Sequence, residues 1–584
     1  MKPNPFYVGR FERYRHRVRM STADNQLRPD TVDQYNVIEV VYVIILVAYF
    51  LHFALPALGG GFDEDEIINI WTHWFSGVSK SVWANICFWK GIGRPAGAIY
   101  YLPLYHFFGM NPQPYRIAQM SILAGSIPIV YHLARLLSSS RSIAFLAVLA
   151  FCYHAKLANL LLGPFCYDVL CGFFYFAALT YYIHIREKGF RLRPIQWLGF
   201  LALYICALNA KEMAVTLPVV VFVYELLKYR RGVERPRFSR WILHYASPAL
   251  LAGAITAFYC YNKVYGSGLV SNFSTELTEY RMNQARPDSW IIATLLEEYT
   301  PRYSWHRFIE ANTRFVSELF YLAPKHVLSG EMLLAIWALL FVYAFLRRDR
   351  ALQLMAFWVV ITPLPLAFLM PRVGGRLYIP LFGWAMIFAK LVSDIITSMY
   401  KSLILLSQTV GWTSQLKQSS DGAANDHGRS ALMHNTSPVT FQTLATLLVA
   451  LALATFTQWK NQGFARVLNS EQKAVHVIQA LRLLNMHPAP GSVILLRPEQ
   501  QFYQTGYYPA YFGSLAQDNP LRQVVVELAP RYWYYLASLV WGDRTLRINV
   551  EGEHRLTEEQ IAKMDYVISF DEFKARIVRG PPPG

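Results

Sequence analysis

The sequence predicts an α-helical protein that crosses a membrane many times and ends in a small α/β domain. Hydrophobic residues make up 54% of the 584 residues and charged residues only 16%, whereas an ordinary soluble domain carries roughly 25% charged residues. The hydrophobic residues gather in long apolar segments, and the basic residues fall in short clusters between them. These observations are typical of a polytopic membrane protein.

About eleven apolar segments reach the length of roughly 20 residues that a spanning helix needs. The first ten form a predicted transmembrane module at 37–398, and the last forms a separate helix at 439–458. The segments are centred near 37–58, 114–136, 142–161, 165–185, 195–210, 213–228, 242–263, 328–346, 351–370, 377–398 and 440–458.

Clusters of Lys and Arg decide the predicted orientation, because positively charged flanks of spanning helices stay in the cytoplasm. Such clusters lie in the N-terminal segment 1–36 and after the fourth, sixth and eighth spans. With the N-terminus inside, the odd number of spans places the loops 59–113 and 264–327 and the segment 459–584 outside. We therefore expect a protein of the cytoplasmic (inner) membrane with a cytoplasmic N-terminus and an extracytoplasmic C-terminal domain.

Two segments near the C-terminus differ in composition from the apolar module. Residues 399–438 are rich in Ser, Gln, Asn and Gly, which predicts a flexible cytoplasmic linker. Residues 459–584 alternate short β-like runs with helical stretches, which predicts a small α/β domain. The β-like runs are Val493–Leu496, Val524–Leu528, Leu546–Val550 and Tyr566–Phe570, and a helix is expected at Glu558–Met564.

The net charge of +17 does not indicate nucleic-acid binding, because the basic residues form no single patch or arm. The six cysteines show neither a disulfide framework nor the spacing of a zinc site. We expect a monomer that contacts membrane lipids and has no nucleic-acid partner.

Four successive carboxylates open the first outer loop, from Asp63 through Glu64 and Asp65 to Glu66. Crowding of like charges raises carboxyl pKa values, so one of these groups could act as a general base. The cluster could also bind a divalent cation, Mg²⁺ or Mn²⁺, although no metal ligand set is predicted. The alternative is a solvated acidic end of the loop without a chemical role.

Further ionisable residues lie at the outer ends of later spans. Asp168 begins the fourth span, Lys211 and Glu212 lie between the fifth and sixth, and Arg372 and Arg376 flank the tenth. Ionisable groups at membrane depth are costly and are therefore functional candidates, and the arginine fork fits phosphate oxygens. The structural alternatives are a carboxylate that stabilises a helix dipole for Asp168 and a local salt bridge for Lys211 and Glu212.

The outer face thus collects carboxylates and cations, while the inner face carries only charges that set orientation. A polyprenyl-linked phosphate stays at the membrane interface and leaves as an anion that cations can stabilise. This asymmetry predicts an enzyme that uses a lipid-phosphate donor on the outer face. One alternative is a transporter or flippase of lipid-linked sugars, which needs midplane polar residues or repeated halves that the sequence lacks. Another alternative is a membrane-anchored binding scaffold that acts through its C-terminal domain.

Five motifs between residues 40 and 400 resemble those of one known family. They are, in chain order, Phe62–Glu66, then Gly93–Pro95 with Tyr105–Gly109, then His154–Asp168, then Lys211–Pro218 with Tyr224–Glu225, and finally Arg376–Gly383. The set resembles the GT-C superfamily of membrane glycosyltransferases, particularly the bacterial relatives of the transmembrane-and-tetratricopeptide O-mannosyltransferases. The chain departs from that pattern at Ala155, which replaces a proline, and it has no tetratricopeptide array.

The resemblance implies an inverting hexosyl or pentosyl transferase of the cell envelope. Its donor would be a polyprenyl-phosphate-linked sugar, and its acceptor a lipid, a glycan or a protein. The resemblance assigns the catalytic base to Asp65 or Asp63, with Asp65 preferred, and makes Asp168 a third catalytic candidate. The implied ligands of the donor phosphate are Arg376, Arg372, Lys211 and Arg94. The implied positioning residues are Glu212, Glu66, Tyr378 and His154.

Overall fold

Helices dominate the part of the chain that the structure describes. The structure is a computed structural model that describes residues 29–86, 94–188, 191–231, 237–265, 302–322, 328–369, 374–418, 438–461, 464–499, 533–551, 556–571 and 573–580. The helices of the membrane module are α1 (Pro29–Ala54), α2 (Glu64–Ile86), α3 (Gly97–Phe108), α4 (Pro112–Ser138), α5 (Arg141–Cys152), α6 (Cys166–Glu187), α7 (Pro194–Ala210), α8 (Leu217–Arg231), α9 (Phe238–Trp241), α10 (Ser247–Tyr265), α11 (Trp305–Leu319), α12 (Gly330–Leu346), α13 (Arg350–Ile361), α14 (Leu364–Ala367), α15 (Tyr378–Gln418) and α16 (Pro438–Lys460).

Short helical turns connect several of these helices. One π-helical turn, Ile242–Ala246, joins α9 to α10. The 3₁₀ turns are Leu55–Gly59, Ala155–Leu161, Gly163–Phe165, Glu212–Thr216 and Gly374–Leu377.

Each of the eleven predicted spans overlaps at least one described helix, but the count of eleven membrane crossings is not confirmed. Among the described residues, 7 stretches are long and apolar enough to cross a membrane, or up to 8 if one bent pair counts as a span. The helices α7 and α12 have 17 residues each, and α8 has 15. These three are shorter than the roughly 20 residues of a full crossing. The stretches that qualify alone are Val37–Gly59, Pro112–Ser138, Cys166–Glu187, Phe238–Asn262, Arg350–Ala367, Gly374–Leu406 and Phe441–Lys460.

The predicted span at 142–161 is broken in the middle. Its two halves, α5 and the turn Ala155–Leu161, meet at an angle of 68°. Tyr153 and His154 between them have extended backbone, and His154 Nε2 donates to the carbonyl oxygen of Leu319 at 3.0 Å. The His154 ring also stacks on Tyr321 at 4.5 Å. The break is therefore next to the end of α11.

The helix α15 is longer than the predicted span. The prediction ends the tenth span at 398 and begins a flexible linker there, whereas the helix continues to Gln418. Apolar side chains extend the helical pattern through Met399 and Leu406, and the first glycine comes only at Gly411. Residues 419–437 of the predicted linker lie outside the described residues.

The helices α4, α5, α6, α13 and α15 form the centre of the module. The helix α6 packs against α4 and α7, and α15 packs against α5 and α13. Aromatic rings fill the centre, where Tyr378 stacks on Phe151 at 4.7 Å and Trp358 contacts Phe382 at 5.3 Å. This core fixes the ends of α6 and α15, which carry predicted site residues.

The C-terminal part is a small α/β domain, as predicted. It contains α17 (Phe464–Leu483) and a four-stranded sheet in the order β2-β1-β3-β4. The strand β1 is parallel to β2 and β3, and β4 is antiparallel to β3. The predicted run Val524–Leu528 lies outside the described residues, and β4 was not predicted. The elements are β1 (Val493–Pro498), β2 (Arg547–Val550), α18 (Glu558–Ala562), β3 (Tyr566–Phe570) and β4 (Ala575–Arg579).

The C-terminal domain packs on the helices of the first loop. Residues 533–541 are helical, and the carbonyl oxygen of Leu539 accepts a hydrogen bond from the Tyr105 hydroxyl at 2.7 Å. The Arg544 guanidinium lies 5.0 Å from the ring centroid of Trp74, and Tyr535 contacts Trp71 at 4.6 Å. The domain therefore lies at the same end of the membrane module as α2 and α3.

Candidate functional site

A buried ion pair fixes the start of the first loop. Glu66 in the first turn of α2 pairs with Arg116 near the start of α4, and both side chains are 0% exposed. The same guanidinium donates to the carbonyl oxygen of Gly61 at 2.5 Å. The Glu66 carboxylate lies against Gly163, where any side chain would overlap it. Glu66 therefore ties the start of the first loop to α4 and to the turn at Gly163.

Asp63 and Asp65 lie together at the N-terminus of α2. The backbone N–H of Asp65 donates to Asp63 Oδ1 at 2.9 Å, an arrangement that satisfies one free donor of the first helical turn. Burial and the neighbouring charge of Asp65 raise the pKa of Asp63 to about 7. The Asp65 side chain is exposed. The loop therefore offers one accessible carboxylate and one that titrates near neutral pH.

A histidine and a tyrosine connect this loop helix to the start of α6. His73, two turns further along α2, is fully buried, and its Nε2 lies 3.0 Å from the Tyr167 hydroxyl oxygen. A methyl group at Gly97 would overlap both side chains, so only glycine fits there. The carboxylate of Asp65 lies within electrostatic range of Tyr167.

Arg94 and Glu212 form an ion pair with two hydrogen bonds. Arg94 Nη2 donates to Glu212 Oε2 at 3.0 Å, and Nε donates to Oε1 at 3.3 Å. The Arg94 guanidinium carbon lies 5.3 Å from the Tyr167 ring centroid. The two side chains are 26% and 32% exposed, so the pair borders the surface and is accessible to a ligand.

A second ion pair lies beside the first and is more deeply buried. Lys211 Nζ donates to Asp168 Oδ2 at 2.5 Å, and the side chains are 9% and 4% exposed. Burial lowers the pKa of Lys211, the Asp168 carboxylate opposes that effect, and the charges of Arg94 and Arg376 add to it. Arg94 and Arg376 therefore both lie within electrostatic range of Lys211.

Arg376 reaches this cluster from a turn that is fixed by glycines. The turn Gly374–Leu377 packs on the turn Ala155–Leu161, where Asn159 Oδ1 accepts the N–H of Gly375 at 2.9 Å. A side chain at Gly374 would overlap Asn159, and Gly374 has a positive φ of 80° that favours glycine. The half-buried Arg376 guanidinium lies 5.7 Å from the Phe165 ring centroid. It therefore faces the same 3₁₀ turn that leads into Asp168.

The structure brings most of the predicted site residues to one end of the membrane module. Contacts or electrostatic interactions connect Asp63, Asp65, Glu66, Arg94, Asp168, Lys211, Glu212 and Arg376. Two predicted positioning residues lie elsewhere. Tyr378 is buried in the aromatic core with its hydroxyl 3.1 Å from Ser126 Oγ, and His154 is held by Leu319 and Tyr321. The predicted phosphate ligand Arg372 lies outside the described residues.

The first-loop carboxylates do not form a metal site in the described part of the chain. No group of three or more His, Cys, Asp or Glu side chains there is arranged to hold a metal ion. Asp63 Oδ1 is already an acceptor for the Asp65 N–H, and Glu66 is engaged with Arg116.

Several residues of the site were not predicted from the sequence. Arg116 is the clearest, because an arginine in the first turns of a spanning helix is a functional candidate on the same grounds as Asp168. Tyr167 and Gly97 have no comparable signal, since their roles depend on contacts between distant segments.

The opposite end of the module carries more than orientation charges, which corrects the prediction for that face. Arg186 Nε donates to the buried Glu225 at 2.6 Å, and the Tyr182 hydroxyl donates to the same carboxylate at 2.9 Å. These hydrogen bonds join α6 to α8 and stabilise the packing of the two helices.

The described residues define the class of this protein. It is a polytopic helical membrane protein with paired carboxylates and cations clustered at one end, on the side where the α/β domain packs. No family model and no curated protein matches the chain.

Two solved structures of oligosaccharyltransferases from Archaeoglobus fulgidus are similar in fold. The first, AglB in complex with an inhibitory peptide and a dolichol-phosphate, is 12% identical with a TM-score of 0.42, covering 92% of this chain and 69% of that one. The second, in the apo form, is 12% identical with a TM-score of 0.41, covering 86% of this chain and 71% of that one.

Proposed function

We propose that this protein is a membrane glycosyltransferase that takes a sugar from a polyprenyl-phosphate carrier on the non-cytoplasmic face of a cytoplasmic membrane. The observation that carries the proposal is that two ion pairs, Lys211 with Asp168 and Arg94 with Glu212, lie near the first loop. That loop carries the carboxylates of Asp63 and Asp65. A lipid-phosphate donor needs cations at the membrane boundary and a base beside them.

The cations are suited to hold the donor phosphate. Arg94 and Glu212 are partly exposed, so the arginine can share its remaining N–H groups with a ligand while Glu212 keeps it in place. Lys211 is held by Asp168, and Arg376 adds a third positive charge from the turn at the start of α15. As the bond to the sugar breaks, negative charge grows on the phosphate, and these cations stabilise it.

The carboxylates of the first loop are suited to activate the acceptor. Asp65 is exposed, and Asp63 has a pKa near 7, which is favourable for a group that accepts a proton at neutral pH. In the proposed step, one carboxylate takes the proton from an acceptor O–H or N–H. The acceptor atom forms a bond to the anomeric carbon, the bond from that carbon to the phosphate oxygen breaks, and polyprenyl phosphate leaves. Attack opposite the leaving group inverts the anomeric carbon.

The proposal assigns Asp65 as the base and Asp63 as the group that adjusts its charge and position. The donor sugar is a hexose or a pentose, and the acceptor is a lipid, a glycan or a protein. The C-terminal domain contacts α2 and α3, and the proposed base Asp65 lies in the first turn of α2. The domain is therefore close to the place where we propose that the acceptor binds.

Transfer of labelled sugar tests the proposal. Purified full-length protein in proteoliposomes is incubated with undecaprenyl-phosphate-linked hexoses and pentoses and with an extract of envelope acceptors. We expect wild-type transfer from at least one donor, and Asp65→Asn lowers kcat by roughly 10²-fold to 10⁴-fold, the usual contribution of a general base. Asp394→Asn, at the other end of the module, is the matched control and retains activity. Wild-type activity in both Asp65→Asn and Asp63→Asn would remove the proposed base.

A further inference from the structure

The pair of His73 and Tyr167 has a hydrogen-bonding inventory that is incomplete. His73 is 0% exposed, and its Nε2 lies 3.0 Å from the Tyr167 hydroxyl oxygen. Burial lowers the pKa of His73 to about 4, so the ring is neutral at pH 7 and carries one N–H. The other ring nitrogen, Nδ1, is buried and has no partner among the described residues. The two side chains therefore carry two polar hydrogens, the ring N–H of His73 and the O–H of Tyr167, but they make only one hydrogen bond with each other.

The tautomer follows from the cost of unpaired donors. If Tyr167 donated to Nε2, the hydrogen of His73 would be on Nδ1, where no acceptor faces it. With the hydrogen on Nε2, the Tyr167 hydroxyl hydrogen lacks a partner instead, but a hydroxyl hydrogen can rotate towards a bound ligand, whereas an Nδ1 hydrogen is fixed in the plane of a buried ring. The favoured arrangement therefore has the hydrogen on Nε2, which donates to the Tyr167 oxygen. The Tyr167 hydroxyl hydrogen is then available for another acceptor.

The surroundings of Tyr167 indicate what that acceptor is. Tyr167 precedes Asp168 in the chain, and the Arg94 guanidinium lies over its ring at 5.3 Å. Lys211 is bound to Asp168, the residue that follows Tyr167 in α6. An anion attracted by these cations accepts hydrogen bonds that are roughly twice as strong as those of neutral acceptors. A phosphate oxygen therefore matches the position better than a neutral hydroxyl.

We propose that Tyr167 donates its hydroxyl hydrogen to a phosphate oxygen of a polyprenyl-phosphate lipid, and that His73 is the positioning residue that orients this hydroxyl. The inference rests on the proposed function, because it assumes that the cations bind a lipid phosphate. It adds a neutral donor to the cationic ligands, and it gives the buried histidine of α2 a role in the site.

Binding of a donor without sugar tests the inference separately from transfer. Full-length protein in nanodiscs is titrated with undecaprenyl phosphate, with undecaprenol, which lacks the phosphate, and with inorganic phosphate. We expect wild type to prefer undecaprenyl phosphate over both other probes. Tyr167→Phe, which keeps the ring under Arg94, should raise the Kd for undecaprenyl phosphate roughly tenfold to hundredfold, as loss of a hydrogen bond to a charged group does. Tyr175→Phe is the matched control, because Tyr175 lies on the same helix as Tyr167 and its hydroxyl bonds Thr216 in the turn Glu212–Thr216.

The histidine is tested through the tyrosine. His73→Leu should raise the Kd for undecaprenyl phosphate, and the double variant with Tyr167→Phe should bind no worse than Tyr167→Phe alone, since both changes remove one interaction. His73→Gln keeps an N–H donor and should restore part of the affinity.

Each outcome separates the two proposals. A wild type that binds undecaprenol equally well contradicts the proposed function. A preference for the phosphate that Tyr167→Phe leaves unchanged overturns the inference alone. An equal loss of affinity for undecaprenyl phosphate and undecaprenol in Tyr167→Phe also overturns it, because the effect would then come from distortion. Tight binding of inorganic phosphate that is lost in the variant would assign the site to free phosphate and exclude the lipid as its specific ligand.

Discussion

Replacing Arg116 by methionine should strongly destabilise the protein. Both partners of the pair with Glu66 are 0% exposed, and Gly163 lies directly against the carboxylate. Removing one partner of a buried pair leaves an uncompensated charge and typically costs about 3–5 kcal/mol. Arg116 also donates to the Gly61 carbonyl oxygen, so its loss loosens the chain just before Asp63.

Reversible unfolding in mixed detergent micelles measures this cost. Arg116→Met should lower the free energy of unfolding by about 3–5 kcal/mol. The double variant Glu66→Gln/Arg116→Met should recover much of that loss, because no buried charge remains. Arg347→Met is the matched control, since its ion pair with Asp394 is 54% and 19% exposed and such pairs contribute only about 0–1 kcal/mol. A loss below about 1 kcal/mol for Arg116→Met would refute the reasoning, because it would mean that the pair is solvated.

Three further perturbations follow from the same contacts. The pKa of Asp63 is raised from 3.8 to about 7 in the folded state, so the folded protein binds a proton that the unfolded protein has lost at the same pH. Thermal stability should therefore fall as pH rises from about 4 to 7. In a melting series from pH 4 to 8, Asp63→Asn should flatten this slope. Lys211→Met leaves Asp168 buried and unpaired and should lower the free energy of unfolding by about 3–5 kcal/mol. The double variant Lys211→Met/Asp168→Asn should recover most of this loss in the same assay, and a loss that is not recovered would contradict the pairing. Gly163→Ala should cost roughly 1–3 kcal/mol because its methyl group overlaps the Glu66 carboxylate, whereas Gly253→Ala has open space around it and should be neutral or slightly stabilising.

The sequence predicted the helices well because a membrane imposes a strong rule on composition. Each predicted span overlaps a helix, and the ends of α4 and α6 lie within two residues of the prediction. Composition could not predict the break at His154, which depends on a hydrogen bond to Leu319 on a distant helix. The continuation of α15 to Gln418 was missed because polar residues were taken as a linker signal, although no helix breaker precedes Gly411.

The candidate site was predictable where a charge stood out against an apolar background. Asp168, Lys211 and Arg376 were singled out on that ground, and the structure brings them together. Tyr378 was included only because it belongs to a motif, and it proves to be a core residue whose hydroxyl lies near Ser126. Tyr167 could not be found in this way, because tyrosines are frequent in the sequence and its position depends on Gly97 and His73.

The most direct test of the account is a cryo-EM map of the full-length protein in nanodiscs with undecaprenyl phosphate. We expect density for the phosphate among Arg94, Lys211 and Arg376, with the Asp65 carboxylate facing the space beside it. A phosphate bound at the other end of the module, near Arg186 and Glu225, would contradict it. So would a map in which Asp65 and Arg376 face different sides of the protein.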